Sequence, residues 1–262
     1  MATEIYKYAM KKVFKKVLIL GAGSAIVQAM SLELAKLGAE RFEIIARNDL
    51  SINNFKSTLN QAGFNPNIVS HIADSSITDE IINVIPYCSQ DIDLLITAPG
   101  LLVDQNTQNP QTLITSVAVN FTSPAIFINE FIRLRVENPQ YKNKALSIGI
   151  ISSVAGDRPR ASNYWYGSSK AALSGFGEAF DCFCHQKNLK IQITVIKPGL
   201  VATPMIDKRE DRRMVAQPNQ VAKAAIKDLR LGKKTVYYPG YWKYIMWVVK
   251  KIPYVIFRKI HQ

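Results

Sequence analysis

The chain has 262 residues, nearly half of them apolar, which suits one large domain with a sizeable core and excludes a disordered chain. Its 33 basic against 20 acidic residues leave a net charge of +13, so anions are the expected partners. Three cysteines are too few for a disulfide framework and point to a reducing compartment. Cys182 and Cys184 stand two apart in an apparent helix, and His71, His185 and His261 are scattered, so no metal site is expected.

Lys11, Lys12, Lys15 and Lys16 precede an apolar run that imitates a secretory leader, but the run breaks at Gly21-Ala22-Gly23. Residues 16–20 read instead as a buried strand, and residues 24–37 have helical periodicity ending at Gly38. Strand, glycine turn and helix together suit a pyrophosphate. Gly21 and Gly23 let the backbone approach it, and Ser24, Ala25 and Ile26 open the helix that offers free N–H groups. The second strand, residues 42–46, ends in Ala46-Arg47-Asn48. An acid there would hold the ribose hydroxyls of NAD. Arg47, with Asn48 beside it, suits the 2′-phosphate of NADP, so NADP(H) is favoured over NAD(H).

A third strand is expected at residues 67–72, followed by Asp74, and a fourth at 91–97, followed by Ala98-Pro99-Gly100. A helix over 111–135 carries Asn120 in its interior, where an asparagine is mildly unfavourable and needs a reason. The apolar run from residue 145 reads as a fifth buried strand, and Ser153 ends it. A hydroxyl at a strand's carboxyl end faces the crevice where open α/β sheets bind ligands. Tyr166 and Lys170 follow at i and i+4, a spacing that stacks phenol and amine one helical turn apart. A charged amine there favours the phenolate and draws the tyrosine pKa down from about 10 towards working pH. Tyr164, the nearest rival phenol, has no lysine four residues on. The helix runs on to residue 186. A strand at 191–196, a Pro198-Gly199 turn, a helix at 217–231 and a strand at 235–238 continue the alternation. It predicts an α/β fold, a doubly wound parallel sheet with right-handed crossovers.

With Ser153, Tyr166 and Lys170 at this spacing, the stretch from Ile150 to Leu173 resembles the catalytic segment of the short-chain dehydrogenases/reductases, and the likeness covers residues 16–238. The resemblance implies a Rossmann-like sheet of about seven strands with helices on both faces, one domain over residues 1–240. It implies an NAD(P)H-dependent oxidoreductase interconverting a ketone and a secondary alcohol. Tyr166 would give and take the proton, Ser153 would hydrogen-bond the substrate oxygen, and Lys170 would hold the nicotinamide ribose. Asn120 would hold a relay water. The resemblance also places Asp74 beside the adenine, Gly100 against the cofactor, and Pro198, Gly199 and Thr203 at the nicotinamide. It makes residues 205–214 a substrate lid, and it implies a homodimer or tetramer. Ala25 and Val27 replace the family's glycines, Leu20 its threonine, and Thr97-Ala98-Pro99-Gly100 its Asn-Asn-Ala-Gly. These departures leave a second reading, a non-catalytic nucleotide-binding or membrane-associated scaffold that retains the fold.

Residues 241–262 form a separate tail, and from Gly240 onward the chain carries five basic residues and no acid among aromatics and aliphatics. Lys243, Lys250, Lys251 and Pro253 interrupt it too often for a bilayer span. Two readings stay open. The tail is an interfacial anchor, its aromatics at the lipid boundary and its lysines on anionic head groups, or its apolar face packs on the domain or a second subunit. The first puts a cytoplasmic protein on the inner face of the cytoplasmic membrane. No nucleic-acid-binding module accompanies the basic residues, so nucleic acid is not an expected partner. Ser153 to Arg158, Asp104-Gln105 and the Ile-Pro-x-x-Ile-Phe-Arg tail resemble one branch of the family, related to the reductase subunit of decaprenylphosphoryl-ribose 2′-epimerase. That narrower likeness implies a small-molecule or lipid-linked keto/alcohol substrate, a 2-keto sugar on a polyprenyl phosphate. Arg158 and Arg160 are candidates for its phosphate.

Overall fold

The computed structural model describes residues 12–104, 109–205 and 214–259. Its strands are β1 Lys16–Leu20, β2 Arg41–Ala46, β3 Asn67–Ile72, β4 Leu94–Thr97, β5 Leu146–Ile151, β6 Ile191–Pro198 and β7 Thr235–Tyr238. They form one seven-stranded sheet in the order β3-β2-β1-β4-β5-β6-β7, and every neighbouring pair is parallel. Strands β4 and β5 are buried throughout, which is why they read as unbroken apolar runs. The strand order reverses between β1 and β4, and that reversal opens a crevice at their carboxyl ends.

Alternation along the strands sorts the core into two layers. Ile19, Ile44 and Ile196 meet helix α1, Ala25–Lys36, through Met30 and Leu34 on one face. Leu18, Leu95 and Ile148 meet Phe127, Phe131 and Leu173 on the other. Two helices absent from the sequence reading fill the crossovers, α2 at Asp49–Gln61 and α3 at Thr78–Val84.

The helix expected over 111–135 is broken in the middle. It consists of α4 Pro110–Val117, a π-turn at Ala118–Thr122, and α5 Ser123–Glu137. By length and composition this run could cross a membrane, yet Phe127, Ile128 and Phe131 are completely buried against the sheet, as in a core helix. Strand β4 begins three residues later than the sequence suggests. Asp93 instead accepts the backbone N–H groups of Lys15 and Lys16 at 2.9 and 3.0 Å, and Asp91 pairs with Lys16 and Lys144, so both acids tie down the start of β1. The remaining helices are α6 Tyr164–Gln186, α7 Pro218–Leu231, α8 Trp242–Lys251 and the short α9 Tyr254–Phe257.

Candidate active site

The glycine turn leaves β1 with Gly21 at φ +91°, in the left-handed region. The N–H groups of Gly21 and Ala22 both donate to the Ile45 carbonyl, at 3.0 and 3.1 Å. A Cβ on Gly21 would lie 2.9 Å from the Pro99 nitrogen and 3.0 Å from the Ala98 carbonyl carbon. Only glycine lets β1 and β4 exit this close together. Ser24 precedes α1 without capping it, so the first-turn N–H groups keep no side-chain partner. A glycine cradle and an uncapped helix start fit a pyrophosphate. Val27, which replaces a family glycine, is buried in the core and does not fill the cradle.

Arg47 is exposed beyond the end of β2. Asn48 is already engaged: its Oδ1 accepts the Ser51 N–H at 3.0 Å and caps α2. Asp74, beyond β3, accepts the Ser76 N–H at 2.8 Å while its own N–H donates to Glu80.

Ser153 follows β5 and caps the short turn Val154–Gly156, its Oγ accepting the Ala155 N–H at 3.1 Å. The Tyr166 phenol feels this hydroxyl as a polar neighbour. A Cβ on Gly156 would stand 2.7 Å from the backbone of Lys170 and Ala171, so the turn lies directly on α6. Lys170 is 2% exposed. Its Nζ donates to the Pro99 carbonyl at 3.0 Å and to the Ile151 carbonyl at 3.2 Å, and lies 5.9 Å from the Tyr166 ring centre. Phenol, hydroxyl and amine therefore meet at the carboxyl end of β5. Tyr164 is 46% exposed and stands apart from this group.

Asn120 occupies the π-turn. Its Nδ2 donates to the carbonyls of Leu101 at 2.7 Å and Ser116 at 2.9 Å, and its Oδ1 accepts the Leu101 N–H at 3.1 Å. The irregular backbone and the asparagine are one device, frequent at functional sites, and here it clamps the loop after Gly100. Among the described residues no hydrogen bond joins the Asn120 side chain to Lys170. Its side chain fixes the loop whose Pro99 carbonyl holds that amine.

The electrostatics correct one expectation. Burial pushes the Tyr166 phenol above its ordinary value, and the Ser153 hydroxyl opposes this only in part. Burial also lowers the Lys170 amine to about 7. The amine does not draw the phenol down, because desolvation acts on both groups. The consequence for stability has a definite sign. Between about pH 7 and pH 9 the unfolded chain carries a proton on Lys170 that the folded chain lacks. Stability of the cofactor-free protein is expected to rise with pH across that window, by up to about 1.4 kcal/mol per unit from this group. Urea unfolding of Lys170→Met should lack that rise, and an identical slope in both proteins would contradict it.

Other predicted residues lie around this centre. The Gly199 N–H donates to the Tyr238 carbonyl at 2.8 Å, just past Pro198. The Trp242 indole covers Gly199 so closely that a Cβ would fall 1.9 Å from its Nε1. Thr203 is half-buried, and Met205 reaches over Gly100. The rest of the expected lid, residues 206–213, lies outside the described residues, as does Gln105.

Arg158 is not free for a substrate phosphate. Its guanidinium donates to the carbonyls of Val249 and Ile252, the latter at 2.6 Å, and stacks 3.8 Å over the Phe257 ring. Asp157 beside it accepts from Lys197 at 2.8 Å and from the Tyr237 hydroxyl at 2.7 Å, and Lys250 lies 3.7 Å away. The turn after Ser153 is thus braced by β6, β7 and the tail, through pairs that no local sequence pattern reveals. The structure also gathers Glu43, His71 and Cys88 within 4.8 Å, which their separation in sequence conceals. Glu43 already receives Arg41, His71 and the Ser89 N–H, and burial pushes the Cys88 thiol up to about 12.

A family profile described as short chain dehydrogenase matches residues 15–214. An uncharacterized oxidoreductase of Streptomyces coelicolor is 26% identical over 248 residues, 94% of this chain and 96% of the relative. An NADP-dependent 3-hydroxy acid dehydrogenase of Schizosaccharomyces pombe is 25% identical over 198 residues, 72% of each chain. A short chain dehydrogenase from Burkholderia cenocepacia in complex with NADP superposes with a TM-score of 0.76 at 16% identity, covering 93% of this chain and 96% of that one. At that identity the likeness establishes the shared fold.

Proposed function

The chain belongs to the short-chain dehydrogenases/reductases, oxidoreductases that use a nicotinamide cofactor, and from that premise we propose that it reduces a ketone with NADPH, Tyr166 giving the proton. The observation that carries this reading is Lys170, buried one helical turn from Tyr166 with its Nζ 5.9 Å from that ring's centre, at the end of β5 where Ser153 stands. When bound, the dinucleotide supplies the hydride. Gly21, Gly23 and the start of α1, from Ser24 to Ile26, would hold its pyrophosphate, and Arg47 its 2′-phosphate.

A phenol raised by burial keeps its proton at neutral pH. That is the form able to donate to a carbonyl oxygen as it gains charge, which suits the reductive half of the reaction. The Ser153 hydroxyl shares the same oxygen and orients it. Lys170, through the Pro99 and Ile151 carbonyls, locks the loop after β4 against the end of β5. The likeness to the polyprenyl-phosphate branch supports a 2-keto sugar carried on a lipid phosphate as the substrate. The family resemblance supports a homodimer or tetramer.

Cofactor oxidation measured against keto-sugars, with and without a lipid phosphate, tests the proposal. The lipid-linked ketone is expected to turn over fastest, and faster with NADPH than with NADH. Simple ketones outpacing it would remove the substrate assignment. Arg47→Ala is expected to raise KM for NADPH about tenfold or more, from one lost charge-assisted contact, and to leave KM for NADH unchanged. Equal changes for both cofactors would remove the role of Arg47.

A further inference from the structure

We propose that the outer face of the C-terminal segment is a docking surface for an anionic lipid bilayer. Helix α8 has two distinct sides. Met246 is buried, Trp242 covers Gly199, and the Val249 carbonyl receives Arg158, so these residues form the inner side. Tyr244, Trp247 and Val248, spaced three and four residues apart, share the outer side. Tyr244 is 71% and Trp247 59% exposed. Tyr254, Val255 and Ile256 extend this apolar surface onto α9, each more than half exposed.

Large exposed apolar surfaces of this kind mark interaction sites. The charge around this one identifies the occupant. Lys243, Lys251, Arg258 and Lys259 are all exposed on the same segment, which has no acidic residue, while Lys250 pairs with Asp157 of the domain. The Lys251 ammonium lies 3.7 Å over the Trp247 ring, so positive charge sits within the apolar face. A second copy of the chain fits poorly. A two-fold contact through this face would set the same cations against themselves with no carboxylate between them. Anionic head groups neutralise those cations, while tyrosine and tryptophan rings settle at the lipid boundary. Trp242 and Arg158 tie the face to Gly199 and to the turn after Ser153, so a bilayer held there borders the crevice. The inference rests on the tail and is independent of the substrate assignment.

Sedimentation of the full chain with vesicles tests it. The protein is expected to pellet with phosphatidylcholine vesicles containing phosphatidylglycerol, to stay in solution with phosphatidylcholine alone, and to dissociate as salt is raised. A triple variant, Trp247→Ser, Val255→Ser and Ile256→Ser, alters only exposed side chains. It is expected to bind the anionic vesicles about tenfold more weakly or worse, with unchanged melting temperature and NADPH binding. Arg258→Glu with Lys259→Glu should weaken vesicle binding by a different route, the loss of charge. Absence of pelleting by the wild-type chain, or equal pelleting of both variants, overturns the proposal. A lower sedimenting mass for the triple variant with vesicle binding intact also overturns it, and assigns the face to a second copy. NADPH turnover in solution is a separate readout, so the reductase reading survives either failure.

Discussion

Tyr166→Phe is expected to lower kcat by about two to four orders of magnitude while leaving dinucleotide affinity within about twofold. The substitution removes one oxygen and keeps the ring. Lys170 keeps both of its anchors, because its amine donates to the Pro99 and Ile151 carbonyls and not to the phenol. The scaffold should therefore stay in place. What disappears is the only group of the Ser153–Tyr166 pair with an acidity suited to protonating an alkoxide. Ser153 alone would still donate a hydrogen bond to the substrate oxygen, but an aliphatic hydroxyl is a far weaker acid than a phenol, so residual turnover should persist only at a low level. Stopped-flow measurement of cofactor oxidation, paired with cofactor titration by tryptophan fluorescence, separates chemistry from binding. Loss of binding in step with loss of rate would place Tyr166 in cofactor recognition and remove it from proton transfer.

Gly21→Val is expected to weaken cofactor binding by about tenfold or more and to destabilise the fold by about 2–4 kcal/mol. Two effects combine. A β-branched residue is strained at φ +91°, and its Cβ would press on the Pro99 nitrogen and the Ala98 carbonyl carbon, backbone atoms with little freedom to retreat. The Pro99 carbonyl is one of the two acceptors of Lys170. Pressure at the cradle is thus transmitted to the proton-transfer site, and kcat should fall even when NADPH is supplied in excess. Denaturant titration and steady-state kinetics check the two parts. A variant that binds less tightly but reaches the wild-type kcat at saturation would show that cradle and amine are uncoupled.

Much of this architecture was legible because its signals are local. Apolar runs located all seven strands to within a few residues, and β1, β3 and β7 fall at the expected positions. The Tyr166–Lys170 spacing acts within one helix and survives in the structure. Helix α2 also had a readable signature, the Asn48 cap followed by Ile52, Phe55 and Leu59, all three buried. The acidity of the central pair was not legible, because its direction depends on how completely Lys170 is buried. The contacts of Arg158 and Asn120 were hidden for another reason. Their partners are mainly backbone groups at Val249, Ile252 and Leu101, and a main-chain amide carries no residue identity for a pattern to display. The open question of the tail resolves in part: its inner side packs on the domain.

The Arg158 brace has a consequence for biosynthesis. Val249 emerges from the ribosome 91 residues after the arginine it will hold. At about 5–20 residues per second, the turn that carries Arg158 waits several seconds for this support. Messages cut short upstream of α8 would yield chains with a nearly complete sheet and a turn after Ser153 that lacks one of its three braces. In such products Asp157 still holds the turn to Lys197 and Tyr237, and only the grip on Arg158 is missing.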